Sequence, residues 1–526
     1  MDTIDTLEER LEILVPNLYP KWRDSQIEVI NQIINSDKKI VALQASTGFG
    51  KSLVAIASII LNNRGIVVTQ TKQLGDKYFL DYGQIGLKSV KGRQNFTCEI
   101  IPERTVDIAP CSAGYKCELK KSGCAYYSQK RQAVSSKLTS MNISYFLTEV
   151  NYSGEFSGRN ILFIDEAHKL DTSLQQFIEV RLNKRRFNEL DCSLPQEITY
   201  ESIVNWAQVS YKYLLSLLSN LQDKLSINFN DEFLISEGIK LNNSMRLIEQ
   251  ISITDKNWII EENDYNILLK PVWIDKYIRQ FLLSHASKVV LMSATLPRKT
   301  VERLGITDYD YINIPSNFDP ERRPVIWYPV ANLSYSAKDK DLELKKLRIA
   351  VDKLCENHIK EKGIIHTTNY KITKYLIENC ESSPRFIYHN NAEERQNALT
   401  KFEKSKINSI LISPSFTEGI DLPYDLIRFQ IICKIPFMDL SDKQTNIRMK
   451  EDNEWYSTQA IITMIQAYGR IMRAPDDSGT TYILDTSLLN LIKRWKKIFN
   501  QLNWFLEALW IQKDNKLVKF NDLEQL

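Results

Sequence analysis

The sequence predicts an α/β protein built on two parallel sheets, and three observations carry that expectation. Short apolar runs recur, each followed by a helical pattern: Ile40-Val41-Ala42-Leu43, Ile66-Val67-Val68, Ile161-Leu162-Phe163-Ile164 and Lys288-Val289-Val290-Leu291-Met292. Such runs read as strands buried on both faces. After residue 335 a second alternation begins, with strands expected at Gly363–His366, Arg385–His389, Ser409–Ile412, Phe429–Cys433 and Thr481–Leu484. Between the first strand and its helix lies Gln44-Ala45-Ser46-Thr47-Gly48-Phe49-Gly50-Lys51-Ser52. Strand, glycine-containing loop, Lys-Ser and helix is the layout of a phosphate-binding loop.

Composition sets wide bounds. At 526 residues the chain is too long for one core, and about three or four domains is the expectation. Hydrophobic content of 43% and charged content of 25% are ordinary for a globular protein. A net charge of +3, from 68 basic and 65 acidic residues, neither demands nor excludes nucleic acid. Residues Met1 to Arg10 lack a basic and then apolar leader pattern. No run of about 18 apolar residues suggests a membrane span.

Taken in order, Tyr19 to Gln26 carries an Arg-x-x-Gln element, Arg23 and Gln26, ahead of a helical pattern from Ile27 to Ile34. A Gln amide offers a donor and an acceptor together, which suits a base edge such as adenine. The plainer reading is a helix N-terminus. In the phosphate loop, Ala45, Ser46, Thr47, Gly48, Phe49 and Gly50 precede Lys51, which would reach the β and γ phosphates. Ser52 would hold Mg²⁺ through its hydroxyl, and backbone N–H groups at the new helix N-terminus favour the negative charge. Ala45 stands where the usual pattern has its first glycine. Gln70 to Leu74 follows the next strand and suits a phosphodiester backbone or a polar loop.

Eight cysteines divide unevenly: Cys98, Cys111, Cys117 and Cys124 share one window, while Cys192, Cys355, Cys380 and Cys433 are scattered. Twelve, five and six residues separate the clustered four. Zinc, an iron–sulfur cluster and unligated thiols all remain open. Tight Cys-x-x-Cys pairs are absent, so wide spacing in a loop-rich insertion favours the cluster. Tyr126, Tyr127, Lys130 and Arg131 follow and suit either a single strand or packing against the cysteine segment.

Asp165-Glu166-Ala167-His168 ends a buried strand, where ligands bind in open α/β sheets. Asp165 would hold Mg²⁺, and Glu166 would orient and deprotonate an attacking water. Residues 172 to 285 read as mainly helical, as in Ile203–Lys224 and Leu241–Ile251. Ser293-Ala294-Thr295 ends the next strand. Tyr335 to Lys346, with four lysines, reads as a domain boundary. The second set carries Phe416 to Asp421 and Gln466-Ala467-Tyr468-Gly469-Arg470-Ile471-Met472-Arg473. Arg470 and Arg473 are expected on one helix face, where guanidinium groups act as arginine fingers or as surface ion pairs. The tail from Leu488 to Trp510 is amphipathic and is expected to pack on the second domain.

Arranged in this order, these motifs resemble the iron–sulfur helicases of superfamily 2, the XPD/DinG group, over nearly the whole chain. The resemblance implies two RecA-like motor domains with an iron–sulfur insertion and a helical Arch-like insertion. It assigns residues 1–97, 131–172 and 286–334 to the first motor domain and 98–130 to the cluster domain. Residues 173–285 fall to the Arch-like insertion and 335–526 to the second motor domain with its tail. It implies ATP and Mg²⁺ as cofactors, and a [4Fe–4S] cluster on Cys98, Cys111, Cys117 and Cys124. Lys51, Glu166, Arg470 and Arg473 take the catalytic positions, with Ser52, Asp165, Asp421 and Gln466 also at the nucleotide. The implied activity is ATP-dependent, 5′→3′ unwinding on single-stranded and forked DNA, by a cytoplasmic, DNA-associated monomer of the DNA-repair type. Two rivals stand beside it: an RNA helicase or RNP remodeller on the same motor, and a non-enzymatic nucleotide-binding scaffold.

Overall fold

The structure, a computed structural model, describes residues 22–334, 337–405, 408–415, 426–471, 477–513 and 516–524. Its chain clusters into two compact units. One comprises the described residues up to Ala42, Ser52–Met292 and Val301–Asp310. The other comprises Leu43–Lys51, Ser293–Thr300 and the chain from Tyr311 onward.

The first α/β set supplies β1 (Ile40–Ala45), β2 (Gly65–Thr69), β3 (Lys88–Ser89), β4 (Leu138–Asn142) and β5 (Arg159–Asp165). An excursion then carries β6 (Val180–Asn183), β7 (Ile259–Glu262) and β8 (Asn266–Lys270), before β9 (Ala286–Ser293) and β10 (Asp310–Ile314). Seven of these strands form one sheet in the order β10-β1-β9-β5-β2-β4-β3. Its interior strands are mostly buried, β1 and β2 at every residue, which is why they read as apolar runs. Gly65 starts β2 opposite Ile161, and a Cβ there would stand 2.7 Å from the Ile161 carbonyl oxygen. Only glycine lets these two backbones approach so closely.

The excursion is helical, as expected, but not wholly so. Helices Tyr200–Ile227 and Glu232–Ile251 form its hairpin. Thr199 and Ser202 cap the first reciprocally, and Asp231 caps the second through the Leu234 N–H. Ile203, Ala207, Ser210, Leu214, Leu218, Leu221 and Leu225 repeat every three or four residues along the buried stripe. The expectation of helix alone fails at the hairpin's base, where β6, β8 and β7 make a three-stranded antiparallel sheet. These strands are only four or five residues long; β7 and β8 form a local hairpin, while β6 pairs with β8 across more than eighty positions.

The second sheet gathers β11 (Val325–Ala331), β12 (Gly363–His366), β13 (Phe386–Ile387), β14 (Ile410–Ser413), β15 (Phe429–Ile432), β16 (Thr480–Asp485), β17 (Leu509–Lys513) and β18 (Lys516–Lys519). Their order is β13-β14-β12-β15-β16-β11-β17-β18, parallel except at the last pair. Two expectations are corrected here. β11 belongs to this sheet although it precedes the boundary placed at Tyr335 to Lys346, and much of that lysine-bearing stretch opens the helix Lys340–Asn357. The strand expected over Arg385–His389 shrinks to Phe386–Ile387. The tail packs on this sheet through Ile498, Phe499, Leu502, Trp504 and Phe505. Trp510, at the end of the amphipathic tail, lies in β17, paired with Ile326.

Candidate functional site

The phosphate loop is built by local sequence. β1 ends at Ala45, so this residue is strand rather than loop, and a helix runs from Lys51 to Leu61. Gly48 and Gly50 take positive φ values of 84° and 89°, a conformation that glycine alone adopts cheaply. The Phe49 N–H donates to the Ser46 carbonyl at 3.3 Å and closes the turn, while the Phe49 ring is buried. Lys51 curls over its own loop and donates to the carbonyls of Ala45, at 2.8 Å, and Ser46, at 3.2 Å. Those weak neutral acceptors are what a phosphate would replace.

In the first unit β5 ends at Asp165, followed by Glu166 at φ 51°. A left-handed glutamate is backbone strain of the kind that collects at functional sites. The Glu166 N–H donates to Asp165 Oδ1 at 2.9 Å, and Glu166 Oε2 lies 3.3 Å from His168 Nδ1. Sequence reasoning missed Tyr78. This residue, 1% exposed, donates its hydroxyl to Asp165 Oδ2 at 3.1 Å and also meets the Ser52 hydroxyl. Burial, then the Asp165 charge, pushes the Tyr78 hydroxyl well above its usual range, so it stays a donor. Ser52 and Asp165, expected to share Mg²⁺, are thereby brought to one phenol. Only a buried tyrosine on the helix Lys72–Tyr82 signalled it, and such tyrosines are usually core.

Gln70 was weighed as a backbone-binding residue. Its side chain instead accepts from Ser173 Oγ at 2.7 Å and reaches the Asp165 carbonyl at 3.5 Å. Thr71 caps the helix Lys72–Tyr82. Gln26 begins the helix Gln26–Asn35 and is buried, and its Oε1 accepts from the Arg23 N–H at 2.9 Å. Arg23 and Gln26 therefore stand together at a helix N-terminus.

Within the second unit the phosphate loop meets the Gln466 segment. A cavity of about 20 Å³ is lined by Ser46, Thr47, Phe318, Tyr468, Gly469 and Trp504, among others. Gln466 donates to Thr295 Oγ1 at 2.5 Å and so ties this segment to Ser293-Ala294-Thr295. Gln44 was not singled out from sequence, yet its side chain accepts from the Leu296 N–H at 2.8 Å and donates to Asn313 at 2.9 Å. Phe318 was also missed: a Cβ on Gly48 would strike its ring at 2.2 Å.

The expected arginine helix is corrected. Helix Asn453–Tyr468 stops two residues short of Arg470, which sits in the closing turn. The Gly469 N–H returns to the Ile465 carbonyl and the Arg470 N–H to Ala467, a tightening last turn that ends the helix. Arg473 and Asp421 lie outside the described residues.

The cysteine segment is a string of short turns. Cys98, Cys111, Cys117 and Cys124 are all free thiols, and Cys124 opens the helix Ala125–Ser135. Burial pushes the Cys111 thiol up while Arg93 and Lys120 pull it down, and Cys117 and Cys98 add to the rise. Tyr127 in turn feels Cys111 and Cys124. Cys111 and Cys124 lie in one apolar cluster with Phe96, Val106, Leu119 and Tyr126, and Cys98 and Cys117 are near enough to Cys111 to act on its charge. Among the described residues, no three His, Cys, Asp or Glu side chains are drawn up as for a single metal ion. Free thiols, a dry wall and two nearby cations are a donor set whose chemistry fits an iron–sulfur cluster. Tyr126 packs into this wall, and Lys130 is buried on Glu149 at 2.7 Å and Glu155 at 2.5 Å, so these two residues pack rather than face solvent. The segment docks on the helical hairpin through Asn242 to the Ser112 carbonyl at 3.1 Å, Arg104–Glu232 at 2.9 Å and the stacked rings of Tyr115 and Phe229.

Comparison with known proteins agrees with this layout. Residues 353–504 match a helicase C-terminal domain family, and residues 19–211 match the type III restriction enzyme res subunit family. The chain is 20% identical to the ATP-dependent DNA helicase YoaA of Escherichia coli, covering 90% of this chain and 92% of that protein. It is 27% identical to the ATP-dependent DNA helicase DinG of Photobacterium profundum over 44% of this chain and 36% of that one. A solved XPD helicase structure superposes with a TM-score of 0.63 at 19% identity, covering 92% of this chain and 99% of that one. Among the described residues, no helix is long and apolar enough to cross a membrane.

Proposed function

Starting from a chain of the XPD/DinG type of superfamily 2, we propose an ATP-dependent DNA helicase that moves 5′→3′ on a single strand. One observation carries the ATPase reading above the rest: Tyr78 gathers Ser52, from the phosphate-loop helix, and Asp165, from the acidic strand end, around one hydroxyl. A divalent ion there would screen the phosphate charge and polarise the γ-phosphoryl group. Lys51 exchanges its carbonyl acceptors for phosphate oxygens. Glu166, paired with His168, orients water and takes its proton. Arg470 meets the charge that develops on the γ-phosphoryl group, a contribution of about 10³–10⁵ in rate in other phosphoryl-transfer enzymes, with Arg473 as its partner. Asp421 and Gln466 complete the nucleotide contacts, and Arg23 and Gln26 read the adenine.

DNA is the substrate named for both curated relatives. A cavity of about 390 Å³ in the first unit supports a single-strand path. Its lining includes Ser144, Tyr152, Arg186, Asn243, Arg246 and Gln250, and the Arg246 guanidinium lies 5.4 Å from the Tyr152 ring centre. Aromatic, basic and amide groups together suit unpaired bases and their phosphates. Cys98, Cys111, Cys117 and Cys124 hold a [4Fe–4S] cluster that braces residues 98–130 against the Arch-like hairpin. The bound cluster supplies rigidity there, and no step of ATP hydrolysis passes through it.

Forked duplexes with a 5′ or a 3′ single-stranded arm decide the activity. ATP-dependent opening of the 5′-armed fork is expected, and opening of the 3′-armed fork alone would overturn the polarity. Matched RNA strands that stimulate ATP turnover more than DNA would favour the RNA-remodelling alternative. Purified protein should absorb near 400 nm (about, from sulfur-to-iron charge transfer). Colourless protein with stoichiometric zinc would contradict the cluster.

A further inference from the structure

β15 runs through the middle of the second sheet, and its neighbours in sequence are apolar: Phe429, Ile431 and Ile432. Gln430 breaks the run and is wholly buried. A buried amide in a central parallel strand is costly unless each of its groups is paired. Here every pairing leads toward one place. Gln430 Nε2 donates to Thr481 Oγ1 at 2.7 Å and to the Tyr468 carbonyl at 3.3 Å. Gln430 Oε1 lies 3.3 Å from His366 Nε2. Thr481 is its direct register partner on β16, and His366 ends β12 on the other side. Both are buried.

Tyr468 is the last residue of the helix Asn453–Tyr468, and its carbonyl accepts from the Ile471 N–H of the closing turn at 3.3 Å as well as from Gln430. Two residues later comes Arg470, whose charge is felt by His366. On the other side of the turn, Tyr468 is fixed again, its hydroxyl held by Arg323 and its ring stacked on Trp504 at 5.1 Å. The turn bearing the arginine is therefore gripped from the sheet by Gln430 and from the tail by Trp504.

We infer that Gln430, with Thr481 and His366 as its supports, is a positioning residue for Arg470: it fixes the helix end from which the arginine reaches the γ-phosphate. This rests on the assignment of Arg470 above and adds to it the group that holds it. Gln430 touches no substrate. Its contribution lies in the precision of the arginine's approach, where a displacement of about 1 Å can cost a hundredfold in rate.

The test is DNA-stimulated ATP hydrolysis by Gln430→Met, which keeps side-chain length and removes the amide. The expected result is a kcat lower by roughly tenfold to a hundredfold with KM for ATP within about twofold. Thr481→Val, a shape-conserving change, gives a smaller loss of the same kind and keeps the test open should Gln430→Met fold poorly. The deciding comparison is in an Arg470→Ala background. If Gln430 acts through the arginine, adding Gln430→Met there slows turnover no further than about twofold. An equal loss in both backgrounds would overturn the inference, as would an unchanged kcat in Gln430→Met. Wild-type turnover in Arg470→Ala alone would instead remove the arginine assignment on which the inference stands.

Discussion

Acid should weaken the second unit through one buried imidazole. His366 is 1% exposed at the end of β12. Burial lowers its pKa from 6.5 to about 4, opposed by the hydrogen bond to Gln430 and helped by the charge of Arg470. The folded chain therefore disfavours the protonated ring, while the unfolded chain binds a proton near pH 6.5. Stability from this group is complete above pH 6.5 and is lost as pH falls toward 4. The difference of about 2.5 pK units corresponds to a loss of about 2 kcal/mol between pH 7 and pH 5, and about 3 kcal/mol by pH 4. The assay is denaturant unfolding at a series of pH values, followed by tryptophan fluorescence, for the native chain and His366→Gln. At pH 7 the variant should be less stable, because it lacks the fitted ring. Toward pH 5 the gap should narrow by about 2 kcal/mol, since only the native chain has a ring to protonate. A gap that stays constant with pH, or widens in acid, would refute the reasoning.

Two further changes probe other parts of the molecule. Tyr78→Phe removes the hydroxyl that steadies Asp165 and Ser52. A hydrogen bond to a charged group is worth about 1.5–3 kcal/mol, so this variant should need more Mg²⁺ for half-maximal ATP turnover, and an unchanged Mg²⁺ titration would contradict the assigned role. Gly238→Val places a side chain where Ala113 Cβ already lies 2.7 Å from an added Cβ. It should loosen the cysteine segment from the helical hairpin, seen as faster proteolysis between Cys98 and Cys124 at unchanged basal ATP turnover, and native-like resistance would show that the contact is dispensable.

What the sequence made legible is chemistry carried by neighbours in the chain. The phosphate loop could be read because its requirements are local: a buried strand, two left-handed glycines, then Lys51 and Ser52 at a helix start. Asp165 and Glu166 were readable for the same reason, as carboxylates at the end of an apolar run. The parallel sheets followed from strands too apolar to face water. What stayed hidden depends on partners far along the chain. Tyr78 looks like any core tyrosine until Asp165 and Ser52 arrive beside it. β11 falls to the first motor domain when read by position in the chain, because its true neighbours, β16 and β17, lie more than 150 residues downstream. The excursion's three short strands owe their existence to each other rather than to their own propensity. The periodic spacing of Arg470 and Arg473 suggested a helix face. The helix instead ends at Tyr468, where its last carbonyl finds Gln430 from the sheet, and no spacing rule within the motif foretells that.

The account turns on ATP being hydrolysed at Lys51 in response to a DNA strand. The most direct measurement is ATP turnover with and without single-stranded DNA, for the native chain and for Lys51→Ala with an unchanged circular-dichroism spectrum. DNA should raise the native rate severalfold, and Lys51→Ala should hydrolyse ATP no faster than background with or without DNA. DNA-stimulated turnover surviving in Lys51→Ala would contradict the central claim.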